Sequence, residues 1–334
     1  MASWPSLRRS RLISPSTDRS SGRQGRRSAS WQIASRSTAP PAAEDRPRVP
    51  AVPASSLVLV RPGAGGETSV FTVRRAGTMA FSAHATAFPG GRVDPADDLP
   101  DRLWEGTDLA DWGRRLGLPH EPVDAHGTLT ELDPAEGAGR VLAAAVRETF
   151  EETGVLLARD AVTGTPVDPA RVAAFPDELR DAVERHEVDF GELLDREGLR
   201  PDAGALVPWS RWITPHGGPR RYDTFFFAVH LPQGQSPERM SSEAASHGWA
   251  SPAELLRRFR AGEVNLMAPT WWQLRTLVDA GEDIHAGRSR FEPLEGVMLV
   301  AGQGPVFPHA DEYLRDLTAF RAAAQVEESK DNIL

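Results

Sequence analysis

VRETFEETGV, residues 146–155, places one arginine and three glutamates in ten residues that otherwise continue an apolar helical pattern. At about 100° per residue, Val146 and Phe150 share one side with Ala143, and Glu148, Glu151 and Glu152 fall within an arc of about 100° roughly opposite. The spacing predicts a helix with an apolar back, an acidic front and a C-cap at Gly154. Arg147 stands four residues before Glu151, within pairing range. Glu148 and Glu152 are also four apart, where like charges repel by about 0.2–0.5 kcal/mol. A solvated helix face would carry such charges singly; three acids packed against their own repulsion, in a fixed Arg-Glu-x-x-Glu-Glu-x-Gly pattern, point to an anionic site.

Composition limits what that site can belong to. The chain has 334 residues, 40% of them hydrophobic, enough to bury a substantial core. No apolar run approaches the roughly 20 residues needed to cross a bilayer, the longest pieces resembling FFFAV at 225–229. The absence of cysteine excludes disulfides, thiolate-bound zinc, iron–sulfur clusters and a thiol nucleophile. The net charge is −9, yet residues 1–50 are rich in Arg, Ser and Pro and lack apolar periodicity, so they read as a disordered tail. A transit peptide, a nucleic-acid arm and a translated upstream stretch compete for that tail, the last being favoured. Lys330 is the only lysine among 38 basic residues, leaving 38 − 1 = 37 arginines. That skew suggests a high-GC bacterial genome, and with it a cytoplasmic protein. The acidic body disfavours nucleic acid as a partner.

Along the chain, SSLVLVRP (55–62) and SVFTVRR (69–75) read as a hairpin across GAGG, and HATAFPGG leads from a third strand into a glycine turn. Residues 98–139 are polar and proline-broken, with one short helix over 108–116, and read as an insertion. Periodicity resumes with RVLAAAVRETFEETGV, followed by one or two amphipathic helices in PDELRDAVERHEVDFGELLDREG and strands at WSRWIT and RRYDTFFFAVH. Ser251, Pro252 and Glu254 announce a capped helix, and APTWWQLRTLVDAG another that stops at Gly281. Strands and helices mixed without strict alternation predict an α+β fold, a mixed β-sheet covered on both faces. The expected limits are a tail over 1–50, a domain over 51–325 and a flexible end over 326–334.

The acidic stretch resembles the signature of the Nudix hydrolases, Gly-x5-Glu-x7-Arg-Glu-apolar-x-Glu-Glu-x-Gly-apolar. Arg147, Glu148, Glu151, Glu152, Gly154 and Val155 match its second half, with Thr149 at the first apolar place, and Gly91 matches its start. Asp97 stands where the signature has Glu, and 147 − 97 − 1 = 49 residues separate it from Arg147 where the signature has seven. An interrupted box of this kind is similar to the long-insert branch typified by the animal peroxisomal coenzyme A diphosphatases. AFPGGRVD (87–94), WITPHGGPRRYDTFFF (212–227) and NLMAPTWWQLRTL (265–277) resemble that branch as well. The coenzyme A motif of other Nudix enzymes is incomplete: Arg75 and Ala76 fit it, Ala80 and His84 do not.

The resemblance implies an α/β/α sandwich that uses Mg²⁺ or Mn²⁺ to hydrolyse a diphosphate bond in a small nucleotide-derived substrate. Coenzyme A or an acyl-coenzyme A is the leading expectation; ADP-ribose, NADH and nucleotide sugars are the alternatives, and a non-catalytic nucleotide-binding module is the alternative of another class. Glu148, Glu151 and Glu152, with the Gly90 carbonyl, are the expected metal ligands. Arg147 orients Glu151, and Glu148 or the loop acid Glu243 takes the proton of the attacking water. Arg220, Arg221 and Arg75 are expected to contact substrate. The oligomeric state stays open, a homodimer included. Of Trp271 and Trp272, adjacent on a helix, one is expected in the core and one at the surface.

Overall fold

A run of leucine and β-branched residues forms β1 (Ala51–Pro62), and the glycine turn returns the chain as β2 (Thr68–Arg75), the hairpin the sequence predicts. Two short strands follow, β3 (Ala85–Ala87) and β4 (Gly90–Arg92). Next come α1 (Leu109–Arg115), α2 (Pro134–Thr153) and β5 (Ala158–Asp160). After them run α3 (Pro169–Ala173), α4 (Asp177–Glu184), α5 (Phe190–Arg196) and β6 (Leu199–Pro201), which pairs with β5. The chain continues through β7 (Val207–Ile213), β8 (Arg221–His230), β9 (Ala244–Ala250), α6 (Pro252–Arg260), β10 (Asn265–Leu266) and α7 (Ala268–Ala280). A small pair, β11 (Leu299–Val300) and β12 (Gly304–Pro305), precedes α8 (Ala310–Asp331). This computed structural model describes residues 50–75, 84–118, 132–214, 220–237, 244–281, 284, 299–300, 304–305 and 307–331. All of them lie in one compact unit, Ala42–Leu334.

β1 is the centre of a mixed sheet of order β10-β3-β2-β1-β8-β7, with β9 on β2 and β4 on β1. Along one edge β1 pairs in parallel with β8, from Ala51↔Arg221 to Val60↔His230. Along the other it pairs with β4 at Ala54, Ser55 and Ser56, and with β2 only from Val60 onward. Between those two pairings β1 and β2 splay, and the β3–β4 connection fills the wedge, where the Leu57 N–H donates to the Pro89 carbonyl at 2.8 Å.

The period-2 alternation of a strand sends successive side chains to opposite faces and divides the core in two. Leu57, Leu59, Phe225 and Phe227 meet Leu142, Val146 and Phe150 of α2. Val58, Val60, Phe226 and Ala228 meet Leu255, Phe259, Trp271, Leu274 and Tyr313 from α6, α7 and α8. The result is the expected α+β sandwich, helices on both faces of one mixed sheet.

Several details differ from the sequence expectation. α2 begins at Pro134, capped by Asp133, because Pro at the first helical position and an N-cap Asp outweigh the two glycines that obscure its first turns. Residues 101–116 supply Leu103, Trp104, Trp112 and Leu116 to the core against α2. α1 crosses α2 closely: a Cβ on Gly113 would lie 2.7 Å from the Pro134 carbonyl oxygen. α8 carries the chain to Asp331, beyond the expected boundary at 325. Trp271 and Trp272 are both buried, so neither is a surface residue; the Trp271 indole N–H donates to Asp316 at 2.9 Å. Ser251 caps α6 through the Glu254 N–H, but the Glu254 carboxylate pairs with Arg257 instead of closing a reciprocal box. Of the expected tail over 1–50, residues 1–49 lie outside the described residues.

Candidate active site

α2 crosses the sheet with its C-terminal half over β4, and that crossing assembles the site. Ser55 Oγ on β1 donates to the Val141 carbonyl at 2.7 Å, pinning the middle of the helix. Two turns later the acids reach the β4 glycines. Glu152 Oε2 accepts from the Gly90 N–H at 3.1 Å. A Cβ on Gly91 would stand 2.4 Å from the Glu148 carboxylate atoms, so only glycine leaves that carboxylate room. Gly90 is required for another reason. Its φ of +149° and the 2.3 Å from a virtual Cβ to the Ser55 carbonyl oxygen exclude a side chain.

Arg147 is buried at the centre of the cluster. Its Nε and Nη2 donate to Asp97 at 2.7 and 3.0 Å, and Nη2 also donates to the Arg92 carbonyl at 3.0 Å. Nη1 donates to Glu148 at 2.9 Å and to both Glu151 oxygens at 3.2 and 3.1 Å. The predicted Arg147–Glu151 pair is therefore present, within a larger network. Asp97 is the residue that sequence reasoning noted but gave no role. It caps the turn after β4 by accepting the Asp94 N–H at 2.7 Å while Asp94 accepts the Ala96 N–H at 2.9 Å. That reciprocal Asp-Pro-Ala-Asp box was the available signal. Thr149, at an apolar place of the signature, is wholly buried but donates its hydroxyl to the Ala145 carbonyl at 2.7 Å, so no polar group is stranded.

Burial at this cluster works against charge. It pushes the Glu148 carboxyl up to about 7, with the pull of Arg147 only partly opposing it and Glu151 adding to the rise. Glu151 is raised for the same first reason. Burial also disfavours the Arg147 cation, yet the hydrogen bonds and charges of Asp97, Glu148 and Glu151 outweigh it and hold the guanidinium charged. Asp97, Glu148, Glu151 and Glu152 set against one arginine leave 4 − 1 = 3 uncompensated negative charges when all are ionised. Hard carboxylate oxygens in such excess have the donor chemistry that Mg²⁺ or Mn²⁺ takes. Among the described residues no three acidic or imidazole groups converge on one point; Glu148 and Glu151 turn to Arg147, and Glu152 to the Gly90 N–H.

Two of the other expected site residues lie away from the acid cluster. Arg221 is buried at the start of β8, on the far side of β1 from β4, and donates Nε to the Thr214 carbonyl at 2.9 Å. Arg220 beside it is exposed. Asp223, two residues along β8, is held by Arg211 at 2.8 and 2.5 Å. Arg75 ends β2, but its side chain lies outside the described residues, as does all of Glu243.

Residues 49–277 match the NUDT19 Nudix domain family model. The acyl-coenzyme A diphosphatase NUDT19 of Gallus gallus is 32% identical over 271 residues, covering 69% of this chain and 70% of its own. The protein of the same name from Homo sapiens is 29% identical over 293 residues, covering 78% and 76%. A solved NUDIX hydrolase from Alicyclobacillus acidocaldarius, 29% identical, superposes over 72% of this chain and 96% of its own with a TM-score of 0.52. With the signature's two halves brought together by Arg147 and Asp97 and these matches spanning most of the folded unit, the chain is a Nudix hydrolase, a member of the family defined by the NUDT19 Nudix domain.

Proposed function

We propose that the protein hydrolyses the diphosphate of coenzyme A or an acyl-coenzyme A to adenosine 3′,5′-bisphosphate and the (acyl-)4′-phosphopantetheine, with Mg²⁺ or Mn²⁺. The observation that carries the chemistry is the acid cluster on the β4 glycines. The substrate class is supported by the two relatives named acyl-coenzyme A diphosphatase. Glu148, Glu151, Glu152 and the Gly90 carbonyl would hold the ions, which when bound neutralise the diphosphate oxygens and acidify water. Arg147 orients Glu148 and Glu151 through Nη1 and is itself fixed by Asp97. Glu148, the acid facing Gly91, or Glu243 accepts the proton of the attacking water, reach being the first requirement for a base. Arg220 is the exposed cation we retain for phosphate contact, together with Arg75. No helix among the described residues is long and apolar enough to cross a membrane, and a cytoplasmic setting is part of the same proposal.

The test is a substrate panel with each metal, products identified by mass. Adenosine 3′,5′-bisphosphate together with 4′-phosphopantetheine is the expected result. Activity on ADP-ribose alone would overturn the coenzyme A reading, and no hydrolysis of any diphosphate would favour the non-catalytic binding module.

A further inference from the structure

Beyond the acid cluster, the α2 face of the sheet continues as a shelf on β1, β2 and β9. Phe71 is its buried floor, with the His247 and Trp249 rings 5.6 and 5.4 Å away. Arg61, on the same face of β1 as Leu57 and Leu59, lays its guanidinium over the Trp249 ring at 4.1 Å. Arg61, like Arg74 and Arg92, is exposed with no ion-pair partner among the described residues, and of these three it is the one that lies over an aromatic ring. A guanidinium stacked on indole loses little freedom on meeting a ligand and keeps its fork of donors pointing outward, the arrangement that suits a phosphate. Register fixes how far Trp249, the ring over which the guanidinium lies, stands from the chemistry. Gly90 pairs with Ser56, and Trp249 lies opposite Phe71, one residue on from the Val60↔Val70 pair. The offset is roughly 10 Å along the strands and 5 Å across, a span that one ribose and the contacts at its two ends can bridge.

We propose that Arg61, braced by Trp249, binds the 3′-phosphate on the adenosine half of the substrate. The assignment rests on the coenzyme A reading above and makes Arg61 a specificity residue, not a catalytic one. The test compares coenzyme A with dephospho-coenzyme A, which differ only in that phosphate, in the wild type and in Arg61→Gln, with a thermal melt of both proteins. The wild type should favour coenzyme A by roughly 10- to 100-fold in kcat/KM, the size of a charge-assisted contact. In Arg61→Gln that ratio should collapse toward one, through KM rather than kcat. Hydrolysis of both compounds with the ratio unchanged by the substitution would overturn the assignment alone, even if the melting temperature fell. Hydrolysis of neither would overturn the coenzyme A reading and the assignment with it.

Discussion

Arg147→Met should destabilise the protein far more than Asp97→Asn does, and the gap should close as the pH falls. Asp97 is 1% exposed and takes two hydrogen bonds from Arg147. Removing one partner of a buried ion pair costs about 3–5 kcal/mol. A proton sets an independent ceiling. From an ordinary Asp value of 3.8, neutralising Asp97 at pH 7.5 costs about 1.36 × 3.7, or roughly 5 kcal/mol. The expected loss is therefore about 3–5 kcal/mol, on the order of 10 °C in Tm for a domain of this size. Burial already holds Asp97, Glu148 and Glu151 above their unfolded values, and losing the guanidinium, which opposes that rise, lifts all three further. The folded variant then binds more protons than the unfolded chain, so its stability is regained as pH drops, by about 1.4 kcal/mol per pH unit for each group in range. Asp97→Asn removes a charge instead and leaves Arg147 bonded to Glu148, Glu151 and the Arg92 carbonyl, at a cost of about 1–2 kcal/mol that changes less with pH relative to wild type. Denaturant and thermal melts near pH 5.5 and 7.5 decide the matter. Equal destabilisation by the two variants, or a gap that does not change with pH, would refute the view that Arg147 compensates several carboxylates at once.

Glu152→Gln should lower turnover by orders of magnitude with Tm and circular dichroism unchanged; a near-normal rate would remove Glu152 from the chemistry. Because the Glu148 carboxyl rises from 4.5 to about 7 on folding, its contribution to stability is complete below about pH 4.5 and is lost as pH rises through about 7. Millimolar Mg²⁺ should therefore raise Tm more near pH 8 than near pH 5.5, and an equal shift at both would count against Glu148 as a ligand. Gly90→Ala should cost more than about 2 kcal/mol, since its Cβ meets backbone at Ser55 and Ser56 and its φ is unfavourable. Gly91→Ala should fold, because its Cβ meets side-chain atoms of Glu148 and no backbone, yet lose activity; melts and rate measurements on the pair would expose the opposite ranking.

The acidic helix was legible because it combines a strong 3.6-residue pattern with charges that a solvated face does not need. β1 and β8 were legible for the complementary reason, apolar runs of strand length bounded by turn residues. What could not be read from local sequence is who meets whom. Asp223 stands two residues from Arg221, yet the antiparallel register of β7 and β8 pairs it with Ile213 and brings Arg211, two residues earlier on the same face, to its carboxylate. The same register gives Arg221 a neighbouring carbonyl to hold, and its burial follows. Trp271 and Trp272, adjacent on α7, project about 100° apart, and each still finds cover. Trp271 packs under Tyr313 of α8 at 5.6 Å and Trp272 against Trp212 of β7 at 6.0 Å. Flanking elements bury both sides of a helix that amphipathic reasoning allows to bury one.

The 49 residues between Asp97 and Arg147 raise the question of how a catalytic signature survives being cut in two. Closing a 49-residue loop rather than a seven-residue one costs about (3/2)RT ln 7, or roughly 1.7 kcal/mol, because closure entropy grows only logarithmically with length. Against that stands what the excursion buries. Leu103, Trp104, Trp112 and Leu116 are each at most 5% exposed in the α2 core, and a large apolar side chain so buried contributes about 1.5–3 kcal/mol. One such residue offsets the added closure entropy, and the others help cover the ordering of their own segment. The two ends are then locked where the chemistry needs them: Asp97, pinned by its own capping turn, presents both oxygens to Arg147, and Arg140 reaches from α2 to the adjacent Asp98 at 3.2 Å. Where the signature has Glu, Asp97 completes the contact from the turn over 94–97 with both of its oxygens on Arg147. Continuity of the signature in three dimensions thus depends on two ion pairs and a short turn. The length of chain between its halves is free to vary, provided the excursion brings its own core with it.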